Sequence, residues 1–194
     1  MSDAAETTFT AMRDATRQDY QQIGRHSLEF FSGLPDRILT HLSLLEGDTG
    51  GYAVDRLTHS LQTATRAQRD GRDDEYVICA LIHDIGDTLA SANHAELAAT
   101  MLEPYVSEQN YWIVKHHGIF QGYYFFHHLG LDRDLRDRYR DHEWWHDCAQ
   151  FCEKYDQNSF DPEYETLPLE AFEPALRKLF STPRQSLYFG ENNA

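Results

Sequence analysis

The chain has 194 residues, 41% hydrophobic and 13% aromatic, a composition that suits one domain with a substantial core and excludes a disordered chain. Its formal net charge is −15 with histidine counted neutral, which argues against duplex nucleic acid and anionic membrane as partners. No apolar run approaches the ~18 residues of a transmembrane helix, residues 1–6 lack the basic and apolar regions of a secretory signal, and Cys79, Cys148 and Cys152 form no CxxC pair, so a reduced, cytoplasmic protein is expected.

Residues 1 to about 18 are polar and expected to fray. A helix over 18–31 would bury Tyr20, Ile23, Leu28 and Phe31, ending at Gly33 and Pro35. A second, over 35–45, places Ile38, Leu42 and Leu45 on one face. Residues 46–51 hold three glycines and read as a loop with close backbone approach. Helical patterns follow over 54–69, 73–85 and 94–102, with Asn93 as a cap for the third. Ser107 caps the next, but Asn110 stands where a capping box needs glutamate or glutamine. That helix leads through Ile113 and Val114 to His116 and His117. Residues 118–128 form a bent, buried helical continuation, 132–142 a charged, exposed helix, 143–155 a more buried one, and 168–180 a last helix before a polar tail. No repeat or domain boundary interrupts this series. The expectation is all-α: a single helical domain over 1–194, with its chemistry within about 55–162.

The chemistry centres on one stretch. Ala80, Leu81 and Ile82 run into His83 and Asp84, and Gly86 follows. The apolar run buries this backbone, and a buried carboxylate must be paired or metal-bound. Further candidates lie on other helices: His59, His94, His117 and Asp156. Taken singly, each histidine is more simply a core residue. Together, four histidines and two aspartates on five helices exceed what one ion needs. Two ions bridged by one carboxylate, ~3.5–4 Å apart, would use all six, with Asp84 as the natural bridge. Imidazole and carboxylate ligands suit iron, Mn2+, Ni2+, Co2+ or Zn2+, and the lack of cysteine ligands disfavours a structural zinc site. His116 competes with His117. Ile113 and His117 share a face at i, i+4, which favours His117 but leaves both open. His127, His128, His142 and His146 are placed outside the ligand set, and the aromatic run 120–126 is read mainly as core, with lining of the substrate cavity as the lesser alternative.

These residues resemble the HD-domain superfamily, whose pattern is H…HD…(H…H)…D on a helical bundle and whose members are mostly metal-dependent phosphohydrolases. The six-ligand form resembles its diiron oxygenase branch, which includes myo-inositol oxygenase and 2-amino-1-hydroxyethylphosphonate oxygenase. The 24-residue step from His59 to His83, the stretch Asn93-His94-Ala95-Glu96-Leu97-Ala98-Ala99, and the approach Phe151-Cys152-Glu153-Lys154-Tyr155-Asp156 carry that likeness. The resemblance implies two iron ions (Fe2+/Fe3+), one held by His59, His83, Asp84 and Asp156, the other by Asp84, His94 and His117. It implies a small hydroxylated substrate and dioxygen as partners, with oxidative C–C or C–P cleavage as the reaction.

The chain departs from inositol oxygenase around the substrate. Asp87 and Phe160 replace two lysines, and Gly118 replaces a serine. Asp84 and Asp87 are the expected catalytic carboxylates. Asp87, Gly118, Tyr123, Tyr124, Phe160 and Asp161 are expected to line the substrate pocket, with Phe126 and Trp144 as aromatic neighbours. An acidic, aromatic pocket suits an ammonium group. The alternative is an HD phosphohydrolase, in which metal-activated water attacks a phosphoester. Its nearest cations in sequence are Arg56, Arg66 and Lys115, and an acidic Asp87 would repel phosphate. A third reading is a non-catalytic metal-binding domain. The oligomeric state is left open.

Overall fold

A computed structural model describes residues 7–186. The first six residues and those from 187 on, which hold part of the expected frayed start and polar tail, lie outside the described residues. The described residues are helical, with no strand among them. Eight α-helices run in order: α1 (Arg17–Ser32), α2 (Leu34–Ser43), α3 (Arg56–Arg69), α4 (Asp74–Ile82), α5 (His94–Leu102), α6 (Glu108–Phe125), α7 (Trp145–Lys154) and α8 (Glu173–Leu179), joined by loops and short 3-10 turns. No helix among the described residues is long and apolar enough to cross a membrane.

Polar caps set the helix starts. Asp55 accepts from Thr58 N at the head of α3, and Asp73 from Tyr76 N at the head of α4. Each relieves one orphan donor of a first turn. Ser107 caps α6 through Asn110 N. The glutamate missing from its capping box is supplied by another helix: Glu75 of α4 accepts from Ser107 N at 2.8 Å and from Asn110 Nδ2 at 2.7 Å. Asn93 precedes α5 but makes no side-chain cap bond, against expectation. Its amide reaches Glu96 instead.

α4 is apolar nearly all round, and seven of its nine residues are buried. It packs against α3, α6 and α8, while α6 also packs against α5 and α7. Ile78, Leu81, Ile82, Leu102, Phe120, Phe151, Tyr155 and Leu176 fill the space between them. The three cysteines are free and buried in this core, and burial holds the Cys79 and Cys152 thiols well above their usual pKa.

Two elements differ from the sequence reading. α1 buries none of its residues; Leu28 is 56% and Phe31 39% exposed. Its capping box, Thr16 with Asp19, holds its start, and its packing is on α2. The segment expected as a charged helix over 132–142 is a 3-10 stretch, Arg133–Tyr139. Tertiary contacts hold it: Tyr139 packs on the core, Arg133 and Arg136 lie 4.1 and 3.6 Å over the Tyr123 ring, and Trp145 Nε1 donates to Arg136 O.

Candidate metal centre

The site forms where α4 stops. In a continuing helix His83 and Asp84 would point about 100° apart. Here α4 ends at Ile82, and Asp84 takes φ −104°, ψ 9° before the short turn Ile85–Thr88. Both side chains then face one point. Gly86 makes the next approach possible, since a Cβ there would lie 2.4 Å from the His94 carbonyl oxygen. α5 therefore starts directly against the turn and brings His94 beside Asp84. α3 delivers His59, α6 delivers His117, and the turn after α7 delivers Asp156.

Every one of the four imidazoles has its Nδ1 engaged away from the centre. His59 Nδ1 meets Ser159 O at 3.0 Å, His83 Nδ1 meets Ala80 O at 2.8 Å, and His117 Nδ1 meets Val114 O at 2.7 Å. His94 Nδ1 lies 3.2 Å from Asp87 Oδ1. A carbonyl can only accept, so Nδ1 carries the proton and Nε2 presents its lone pair inward. The Nε2 atoms converge: His59 and His83 are 3.1 Å apart, His94 and His117 3.3 Å. Neutral imidazoles in this tautomer would set lone pair against lone pair. A cation resolves that conflict. Ligand atoms ~2.1 Å from one ion and at right angles sit about 3 Å apart, close to these spacings.

The carboxylates complete the two halves. Asp84 Oδ2 lies 3.4 Å from both His59 Nε2 and His83 Nε2. Asp84 Oδ1 lies 3.3 Å from His94 Nε2 and 3.1 Å from His117 Nε2. Asp156 Oδ1 is 3.3 Å from His59 Nε2 and 3.8 Å from His83 Nε2, while its Oδ2 is buried with no partner. A buried orphan carboxylate oxygen costs several kcal/mol unless a cation takes it. His59, His83 and Asp156, and again His83, Asp84 and His117, are grouped closely enough to hold a metal ion.

The carboxylates favour protonated imidazoles at two positions. Burial opposes a charged His59, but bonds to Asp156 and Asp84 outweigh it and raise its pKa to about 10. His117 is likewise opposed by burial and raised by Asp84. Burial opposes the charge on Asp84 too, yet His83, His117 and His59 hold its carboxyl well below the usual range, and His59 and His83 do the same for Asp156. Metal binding would displace these protons.

Further contacts fix these side chains. Phe160 stacks on the His59 ring at 4.4 Å, and Tyr52 stacks on Phe160 at 4.7 Å. Phe151 sets its edge against His83, with ring centroids 5.6 Å apart. Gln121 donates to Asp156 Oδ1 at 3.0 Å. The Cys152 thiol donates to His117 O at 3.5 Å.

A cavity of about 460 Å3 opens from the centre. His59, Asp84, His94, His117 and Asp156 form its floor, and Tyr52, Phe125, Phe126 and Phe160 its aromatic walls. Of the expected pocket residues, Asp87, Gly118 and Phe160 line it. Tyr123, Tyr124 and Asp161 do not, which corrects their expected placement. Tyr123 is held under the arginines of the 3-10 stretch, and Tyr124 packs on the core. The backbone of Asp161 pairs with the Gln62 amide, and its carboxylate turns to Glu163 N. Trp144 also lies on the core. Asp87 lines the cavity but is not a free acid, because Arg56 takes Oδ2 and His94 takes Oδ1. His116 turns away from the centre and stacks on Trp112, whose ring also stacks on His142.

From sequence, Tyr52 and Gln121 were not assigned to the pocket, Phe125 was placed there only as the lesser alternative for its aromatic run, and Arg56 was weighed only as a possible phosphate ligand. A signal for two of them was present: His117, Gln121 and Phe125 recur at i, i+4, i+8 on α6, so one face carries ligand, amide and wall. Nothing local marks Tyr52, which reaches the site through the glycine loop.

The HD-domain family matches residues 56–155, a span that covers His59, His83, Asp84, His94 and His117 and ends one residue before Asp156. The chain belongs to the HD-domain family. No curated protein matches the sequence.

Proposed function

We propose that this chain is a dinuclear HD-domain oxygenase acting on a small hydroxylated substrate, one that carries an ammonium group. The observation that carries the two-ion reading is the division of Asp84, one oxygen toward His59 and His83 and the other toward His94 and His117. On this reading His59, His83, Asp84 and Asp156 hold one ion, and Asp84, His94 and His117 the other. Two iron ions, Fe2+ and Fe3+, would supply the redox capacity for dioxygen chemistry and C–H cleavage.

The chain's own groups supply the rest. Backbone carbonyls and Asp87 hold the imidazoles in one tautomer. Gln121 steadies Asp156. The walls of Tyr52, Phe125, Phe126 and Phe160 offer π faces to a cationic headgroup. Arg56 is the one arginine or lysine among the described residues lining the cavity, and Asp48 and Asp87 already hold it. That pairing leaves no free cation for a phosphoester, which supports the oxygenase.

The phosphohydrolase reading rests on membership of the HD family and on Arg56, whose side chain is 34% exposed and would have to leave its carboxylates to meet a phosphate. Protein purified without oxygen and supplied with ferrous iron separates the two. Oxygen uptake with a hydroxylated amine or betaine supports the oxygenase. Release of phosphate from a phosphoester with Mn2+ or Ni2+, and no oxygen uptake, supports the hydrolase. Bound metal with neither activity supports a binding domain.

A further inference from the structure

Asp87 belongs to a chain of charges that starts on the glycine loop. Asp48 sits in that loop between Gly47 and Gly50, whose φ angles are +84° and +55°. Its Oδ1 accepts from Gly50 N at 2.9 Å, and its Oδ2 lies 3.2 Å from Arg56 Nε. Its backbone oxygen also accepts from Arg56 N at 3.1 Å. The Arg56 head nests against Gly50, where an added Cβ would lie 2.9 Å from Nη2. Arg56 Nη1 donates to Asp87 Oδ2, and Asp87 Oδ1 meets His94 Nδ1.

His94 needs this help more than the other three imidazoles. Its side chain is 28% exposed, whereas those of His59, His83 and His117 are nearly or fully buried. The other three are steered by backbone carbonyls, which cannot leave. His94 stands in the first position of α5, and its Nδ1 meets a side chain, Asp87, in place of a backbone carbonyl. Free to turn about its side-chain bonds, it would aim Nε2 elsewhere.

We infer that Arg56 and Asp87 are positioning residues: Asp87 takes the Nδ1 proton of His94 and aims Nε2 at the centre, and Arg56, anchored on Asp48, holds Asp87 in place. The inference rests on the two-ion reading and deepens it. Asp87 then acts through His94 rather than on the substrate. The arrangement also ties one ligand to the loop whose neighbours Thr49 and Tyr52 line the cavity.

The test uses the full chain and the variants Asp87→Ala, Arg56→Ala, Arg56→Lys and the Ala double. Anaerobic Mn2+ titration reads the affinity of each ion. Asp87→Ala should weaken one ion by about 10–100-fold, the usual cost of losing such a partner, and leave the other unchanged. Arg56→Ala should weaken the same ion by less, Arg56→Lys should restore part of that loss, and the double variant should be no worse than Asp87→Ala, because the two act in series. Equal weakening of both ions, no weakening, or additive losses in the double variant would overturn the inference. Nitrogen NMR of 15N-histidine protein without metal gives a second readout. His94 should be protonated at Nδ1 in the wild type and lose that preference in Asp87→Ala; an unchanged tautomer would overturn the inference. This readout holds whatever the wild-type ion count, so failure here is distinguishable from failure of the two-ion reading.

Discussion

Asp84 faces His59 and His117 with different oxygens. Oδ2 is 3.4 Å from His59 Nε2, and Oδ1 is 3.1 Å from His117 Nε2. A residue that serves both halves of a centre must be felt by both when it is lost. Asp84→Ala is therefore expected to abolish binding of both ions, and His117→Ala to remove mainly one. Metal analysis of the two purified variants checks this, and retention of two ions in both would break the bridging assignment.

Gln121 and Asp156 form a second dependent pair. The amide fixes Oδ1, while Asp156 Oδ2 and Gln121 Oε1 stay buried without a partner. Gln121→Ala should loosen Asp156 and weaken the ion on the His59 side by about tenfold, the lower end for an outer-shell change. The ion on the His94 side should be unaffected. Competitive titration with a coloured chelator resolves the two.

Gly86 keeps α5 against the His-Asp turn. A methyl there meets the His94 backbone, at 2.4 Å from its oxygen, and backbone yields less than a side-chain tip. Gly86→Ala should cost ~1–3 kcal/mol through overpacking and lower the melting temperature by several degrees for a chain this long. It should also weaken metal binding through His94. A variant as stable as the wild type, with two tight ions, would contradict this packing argument.

Glu75 makes the link between α4 and α6 pH-dependent. Burial opposes its ionisation, but bonds from Ser107 and Asn110 and the charge of Arg184 outweigh this and lower its pKa from the usual glutamate value. A lowered carboxylate pKa gives stability that is complete above the unfolded value and lost as pH falls through the folded value. Glu75→Gln should therefore be less stable than the wild type at neutral pH, by about 1 kcal/mol on the scale of a lost cap. That gap should close as the pH drops below the usual glutamate value. Thermal melts of both proteins between pH 3 and pH 7 check this, and a gap independent of pH would contradict it.

The helices, and the clustering of these histidines and aspartates, were legible because both follow local patterns. Apolar spacing placed α2 through α8 close to where they stand, and an apolar run leading into His83 and Asp84 marked the centre. What escaped was set by distant partners. Glu75 completes the cap of α6 from another helix, so Asn110 looked like a missing capping residue. Asp87 looked like a free acid because Arg56, 31 residues earlier, gave no local sign that it would pair with it. Tyr123 and Tyr124 were counted with the pocket by nearness in sequence, whereas the face of α6 carrying His117, Gln121 and Phe125 leaves them outside. In α1 apolar residues recur at helical spacing, yet none of its residues is buried.

The most direct test of the central claim is metal content and EPR on wild-type protein purified without oxygen and then partly oxidised. Two irons per chain and a signal from a coupled Fe2+/Fe3+ pair, lost in Asp84→Ala, are expected. One ion per chain, or two irons that show no magnetic coupling in any oxidation state, would contradict it.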